Sequence, residues 1–213
     1  MRVALIFAAL LINTTLFAAT PIDGWYVSTF GGYAYVPNNL NTTKYGMALT
    51  NANFQSGFDA GGNLGFKSNP MRYEGEVTYL KANINNFQVN HIRQTNVSGY
   101  NQALLGMANV YYDFPRFIAP VIQPFLGIGI GYAWIQDRLD NTSTLYPVRF
   151  RGTNSAFAYQ ATGGLTYNFA ENYALNLGYR YVATSNVPEL GKMFQVHLAN
   201  VGATYRFDGN NYK

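Results

Sequence analysis

Along most of the chain, apolar and polar residues change places at every step. Eight stretches carry this period-two spacing: roughly 24–36, 56–68, 71–82, 101–113, 122–136, 155–169, 173–184 and 193–207. In the fifth, Leu126, Ile128, Ile130, Tyr132 and Trp134 alternate with Gly127, Gly129, Gly131 and Ala133. In the sixth, Phe157, Tyr159, Ala161, Leu165, Tyr167 and Phe169 share one face; Gln160, Thr162, Gly164, Thr166 and Asn168 share the other. In the seventh, Leu175, Leu177, Tyr179 and Tyr181 oppose Asn176, Gly178 and Arg180. Side chains that return to one face at every second residue belong to strands, not helices.

The gaps between these stretches alternate in length. Long ones fall near 37–55, 83–100, 137–154 and 185–192, and short ones near 69–70, 114–121 and 170–172. Tight turns at one end and long connections at the other are the plan of an up-and-down barrel. The long gaps contain NNLNTTKYG, NVSGYNQ and DNTSTLYP. Such polar runs read as solvated loops.

Composition decides which solvent the apolar faces meet. Charged residues make up only 11% of the 213, and aromatics 16%, against about 25% charged in an average soluble protein. The mean hydropathy of −0.08 is too polar for a helical membrane bundle. A chain apolar on one side of each strand and polar on the other fits both numbers. The polar faces hold Gly, Asn and Thr, with Asp59, Lys67, Glu74, Glu76, Arg180 and Arg206 summing to zero charge. That is the filling of a narrow interior; a water-facing sheet would carry many more Lys and Glu. The aromatics Trp25, Tyr33, Tyr35, Tyr132, Trp134, Tyr179 and Tyr181 sit on the apolar faces near strand ends, where a ring with a polar tip suits a lipid–water boundary. The expectation is an all-β, eight-stranded, antiparallel, up-and-down transmembrane β-barrel. Its interior charges have two readings, a plug of ion pairs or a gated polar path for ions. A barrel of eight strands has room for little beyond side chains, which favours the plug.

Residues 1–19, MRVALIFAALLINTTLFAA, have the basic start, apolar run and small closing residues of a secretory signal peptide, cut after Ala18 or Ala19. The alternative is an uncleaved interfacial anchor. The run Val3–Ile12 is too short to span a bilayer as a helix, which takes about 20 residues. Residues 20–213 are then the barrel, with four long outer loops and a short tail.

The last strand, QVHLANVGATYRF, ends on Tyr205 and Phe207. It resembles the C-terminal signal by which bacterial outer-membrane barrels are recognised for insertion. GWYVSTFGGYAY, NVYYDF, QPFLGIGIGYAW and LGYRYV are similar to small outer-membrane barrels of the OmpA-barrel and opacity-protein type. The resemblance covers essentially the whole chain after residue 19. It departs at the end, where DGNNYK follows Phe207; in most members the Phe is last. The peptidoglycan-binding domain that follows the barrel in full-length OmpA has no counterpart in these residues. The resemblance implies a bacterial outer-membrane location and insertion by the barrel assembly machinery. It also implies contact with outer-membrane lipid and lipopolysaccharide, and a surface role, structural or adhesive, in which the outer loops meet host or matrix ligands.

Candidate chemistry is sparse. The chain has no Cys and two His, which excludes disulfides, thiolate metal sites and Cys nucleophiles. No metal site, cofactor or catalytic residue is assigned. The net charge of +4 is spread without a basic block, so no nucleic-acid partner is expected. Glu74 and Glu76 share a face; such a pair can do acid–base work, and a polar interior also accounts for it. His197 shares parity with the lipid-facing residues. Outer-membrane lipid A deacylases carry a His-X-Ser pair there, but Ala199 stands where the nucleophile would be. His91 falls in a long loop without acidic neighbours. The chain is therefore read as a non-enzymatic surface protein. A small porin-like channel and a lipid-modifying enzyme are the alternatives.

Overall fold

The computed structural model describes residues 22–37, 41–44, 47–54, 57–89, 92–94, 97–115, 121–141, 148–187 and 192–207. The proposed signal peptide, His91 and the DGNNYK tail lie outside the described residues. The strands are β1 (Gly24–Tyr35), β2 (Asn41–Lys44), β3 (Met47–Phe54), β4 (Gly57–Ser68), β5 (Met71–Val89), β6 (Ile92–Gln94), β7 (Val97–Asp113), β8 (Ile122–Asn141), β9 (Val148–Asn168), β10 (Tyr173–Val187) and β11 (Lys192–Arg206).

Eight of them close a ring. β1 pairs with β4, β4 with β5, β5 with β7, and β7 through β11 pair in succession. β11 then returns to β1, from Tyr26 opposite Arg206 to Tyr35 opposite His197. All these pairs are antiparallel, so the barrel is the eight-stranded, up-and-down form that the periodicity predicts. Closure leaves no unpaired edge around the ring.

Outside, the wall is apolar. Leu126, Ile128, Ile130, Leu177 and Val201 are all more than half exposed, as only a lipid solvent would favour. Trp25 and Tyr33 on β1, like Tyr173 and Tyr181 on β10, are eight residues apart. At ~3.3 Å per residue and a tilt of about 40°, that spacing rises about 20 Å, close to the apolar band of an outer-membrane barrel. The lower aromatics touch their neighbours: Trp25 meets Phe66 edge-on at 5.4 Å, and Tyr205 lies 5.1 Å from Tyr173 and 5.4 Å from Phe207.

Two features differ from the pattern-based expectation. The first is the interior. Its lower half is polar, but its upper half is an apolar core that includes Leu80, Leu105, Ile135, Val182, Phe194 and Leu198, each at most 1% exposed. These residues alternate with outward aromatics such as Tyr79, Trp134 and Tyr181, so both faces of the strands are apolar at that height. The second is the outer end. The segments 37–55, 83–100 and 137–154, read as loops, are in large part β-structure. β5, β7, β8 and β9 run 19, 17, 20 and 21 residues, well past the apolar band. β8 and β9 stay in register up to Asn141 opposite Val148, and β3 and β6 flank the top of β5. Asn- and Thr-rich sequence forms strands here because neighbouring strands supply the hydrogen-bond ladder.

Candidate functional site

The inward polar residues form two linked clusters in the lower half of the barrel. The strands position them by parity: Arg72, Glu74, Glu76 and Thr78 follow one another on the inner face of β5, and Asp59 and Lys67 on that of β4.

In the lower cluster Asp113 holds two cations. Lys67 Nζ donates to its Oδ2 at 2.7 Å, and Arg72 Nε to its Oδ1 at 2.8 Å. Arg72 Nη1 also reaches Glu74 Oε1 at 3.4 Å. Tyr26 donates its hydroxyl to that same oxygen at 2.6 Å, and Asn63 Nδ2 donates to Glu74 Oε2 at 2.9 Å. The Arg72 guanidinium lies 4.9 Å from the Tyr111 ring centre and 4.8 Å from that of Phe125. Gly65 makes room for the Tyr26 ring; a Cβ there would meet it.

The upper cluster is centred on Arg180. Its Nη1 donates to Glu76 Oε1, its Nη2 to Asp59 Oδ2 at 3.1 Å, and its Nε to Asn200 Oδ1 at 3.0 Å. Asn200 Nδ2 in turn donates to Asp59 Oδ2 at 2.6 Å. Thr78 and Asn109 donate to the two oxygens of Glu76 at 2.7 and 3.0 Å. The Phe30 ring covers the guanidinium at 4.5 Å. Between the clusters lies a cavity of about 70 Å³, lined in part by Asn63, Arg72, Glu74, Glu76, Thr162 and Arg180. A polar space of that size is large enough for a few waters.

The lower mouth is laced by neutral groups. Ser28, Thr204, Asn176 and Thr166 form a chain with links of 2.7, 2.7 and 2.9 Å. Arg206 donates to Asn168 Oδ1 at 2.6 Å and to the Glu171 carbonyl at 3.3 Å. The structure thus brings Asp59, Glu76 and Arg180 together, and Lys67 with Glu74 through Asp113 and Arg72, while Arg206 stands apart at the mouth. Arg72, Asp113 and Tyr26 are members that the pattern reading missed. The signal was available: Arg72 shares the parity of Glu74 and Glu76, and Asp113 that of Asn109. Among the described residues the interior then holds four buried cations (Lys67, Arg72, Arg180, Arg206) and four buried acids (Asp59, Glu74, Glu76, Asp113), still summing to zero. Each charge that is removed from both lipid and water meets a partner, as a low-dielectric interior requires.

Glu74 and Glu76 face the same interior, yet each is bound into a different cluster and almost fully buried. Outside, Trp25, Tyr33, Tyr35, Tyr132, Trp134 and Tyr179 are about half exposed, and Tyr181 less so. His197 lies among Tyr35, Tyr179 and Tyr181, with the Tyr179 hydroxyl 2.5 Å from its Nδ1. The backbone N–H of Phe207 donates to the Trp25 carbonyl at 2.9 Å, at the foot of the seam.

A family model for the outer membrane protein beta-barrel domain matches residues 4–207. An outer membrane protein of Gluconacetobacter diazotrophicus is 34% identical over 198 residues, which are 80% of this chain and 50% of that protein. The chain thus spans about half the length of that relative. An uncharacterized protein of Brucella abortus is 25% identical, over 82% of this chain and 74% of its own length. Among solved structures, Neisserial surface protein A superposes with a TM-score of 0.57 at 18% identity, covering 86% of this chain and 97% of the other. OprG of Pseudomonas aeruginosa gives 0.56 at 12% identity, covering 89% and 100%. At such identities the likeness is one of fold.

Proposed function

The chain belongs to the outer membrane protein beta-barrel family, and from that premise we propose that it is a non-enzymatic surface protein whose barrel anchors rigid outer hairpins for structural or adhesive contact. Residues 1–19 direct export and are removed; residues 20–213 insert with the help of the barrel assembly machinery, and Tyr205 and Phe207 serve as the insertion signal. One observation carries this reading: apart from small cavities, the described interior is filled by side chains. Its lower half is cross-linked by ion pairs and its upper half is packed with apolar side chains. An ion would have to leave water twice over, first among paired charges and then among Leu, Ile and Phe. This weighs against the channel alternative. Ala199 stands two residues from His197, where the His-X-Ser pattern has its serine, which weighs against the lipid-modifying one.

What is left for function is the outer surface, where paired strands hold polar residues clear of the membrane. Deleting 41–54, and in a second variant 139–150, should abolish attachment of expressing cells to host or matrix ligands. Both variants should keep the heat-dependent shift in SDS electrophoresis that marks a closed barrel. Attachment that survives both deletions would sink the adhesive reading.

A further inference from the structure

The buried interior charges cancel in sum but not in place. The upper cluster sets one cation, Arg180, against two acids, Asp59 and Glu76. The lower cluster sets Lys67 and Arg72 against Asp113 and Glu74, and Arg206 adds a further cation at the mouth. The upper group therefore carries one negative charge in excess, and the lower group one positive charge. The cavity of about 70 Å³ lies between the two clusters.

A smaller cavity, of about 10 Å³, lies within the lower group. Lys67, Arg72 and Arg206 are in its wall with a single acid, Asp113, and with neutral residues such as Thr166 and Asn176. The three cations are only 2%, 9% and 5% exposed, so outside water does little to screen them. Both oxygens of Asp113 are taken, one by Lys67 and one by Arg72. Arg206 donates to two neutral oxygens, Asn168 Oδ1 and the Glu171 carbonyl. Among the described residues, the buried Arg72 Nη2 has no hydrogen-bond partner. It shares an edge of the planar guanidinium with Nε, and Nε faces Asp113, so Nη2 is turned toward the same wall. Lys67 gives one of its three N–H groups to Asp113. The cavity is thus bordered by uncommitted N–H donors on buried cations, and its one carboxylate is fully engaged.

Such a space favours an acceptor over a donor. A water would satisfy the donors but leave the surplus charge buried without compensation, which is costly. An anion answers both needs. The volume is that of about one water-sized sphere, too small for the several oxygens of a carboxylate or phosphate. We propose that the lower mouth binds one monatomic anion, of the halide class, between Lys67, Arg72 and Arg206. The anion completes the ion-pair network. It also joins β4, β5 and β11 across β1, beside the seam that closes the ring.

The test uses the full-length barrel folded in lipid vesicles. Its urea unfolding is compared in sodium chloride and in sodium gluconate at equal ionic strength, gluconate being too large for the cavity. With a dissociation constant of about 10 mM, chloride at about 100 mM should raise the folding equilibrium constant roughly tenfold over gluconate. Bromide should act like chloride and, in crystals, give an anomalous-scattering peak between the three cations. Acetate should act like gluconate. Arg206→Gln removes the surplus charge and keeps a donor for Asn168. It should retain the heat-dependent shift in SDS electrophoresis and lose both the chloride dependence and the bromide peak. Lys81→Gln, on the outer wall, should keep both. Equal wild-type stability in chloride and gluconate overturns the proposal whether or not Arg206→Gln folds, and a bromide peak seen alongside that result is an adventitious ion only. A chloride effect that persists in Arg206→Gln, or that acetate reproduces, also overturns it.

Discussion

Arg180 shows how one side chain determines the state of several others. It is the shared cation of Asp59 and Glu76, and Asn200 holds it from a third side. Arg180→Met leaves two carboxylates buried without a counter-charge and should cost about 3–5 kcal/mol, read as a lower midpoint in urea unfolding from lipid vesicles. Adding Asp59→Asn and Glu76→Gln removes the stranded charges and should recover most of that loss; a triple variant as unstable as the single one would contradict the pairing. Much of this site was legible in the chain, because charges on the inner parity of a barrel have nowhere to go except toward one another. The pairing was not, since parity names a face but not a height. Arg72 was missed for a related reason. It sits one residue into its strand, flanked by Met71 and Tyr73, where the alternation has only begun.

At the scale of the element, strand ends were the hard part. Alternation is visible while one face is lipid, as in the run Leu126–Trp134, and fades once both faces meet water. Beyond Gln136, β8 reads DRLDN, which has the residues of a loop, yet it is flanked by β7 on one side and β9 on the other through Asn141. The ladder on both sides holds it. Amides of 137–141 and 148–152 should therefore exchange with deuterium at least about a hundredfold more slowly than an unstructured chain. Loop-like exchange there would show that the hairpin ends at the membrane. The apolar upper core escaped notice for the opposite reason. In Ala103-Leu104-Leu105 and Ala133-Trp134-Ile135 both faces are apolar, so the alternation that separates inside from outside is lost.

For the whole molecule, the sum of the two interior layers decides permeability. A buried apolar cluster that includes Leu80, Leu105, Ile135 and Leu198 disfavours water as hydrophobic gates do, and below it, among the described residues, the paired charges border small cavities. Purified protein in a planar bilayer should give no conductance steps at either polarity; resolved steps of constant size would restore the channel reading. The ring itself sets a condition on how the molecule is made. Its seam joins β1 to β11, the first and last strands of the barrel. Nothing local can form that contact, and contacts between distant parts of a chain are slow to find. Without the last strand the ring cannot close, and β1 and β10 would each be left with an unpaired edge. The ring is therefore complete only when the two ends of the barrel meet.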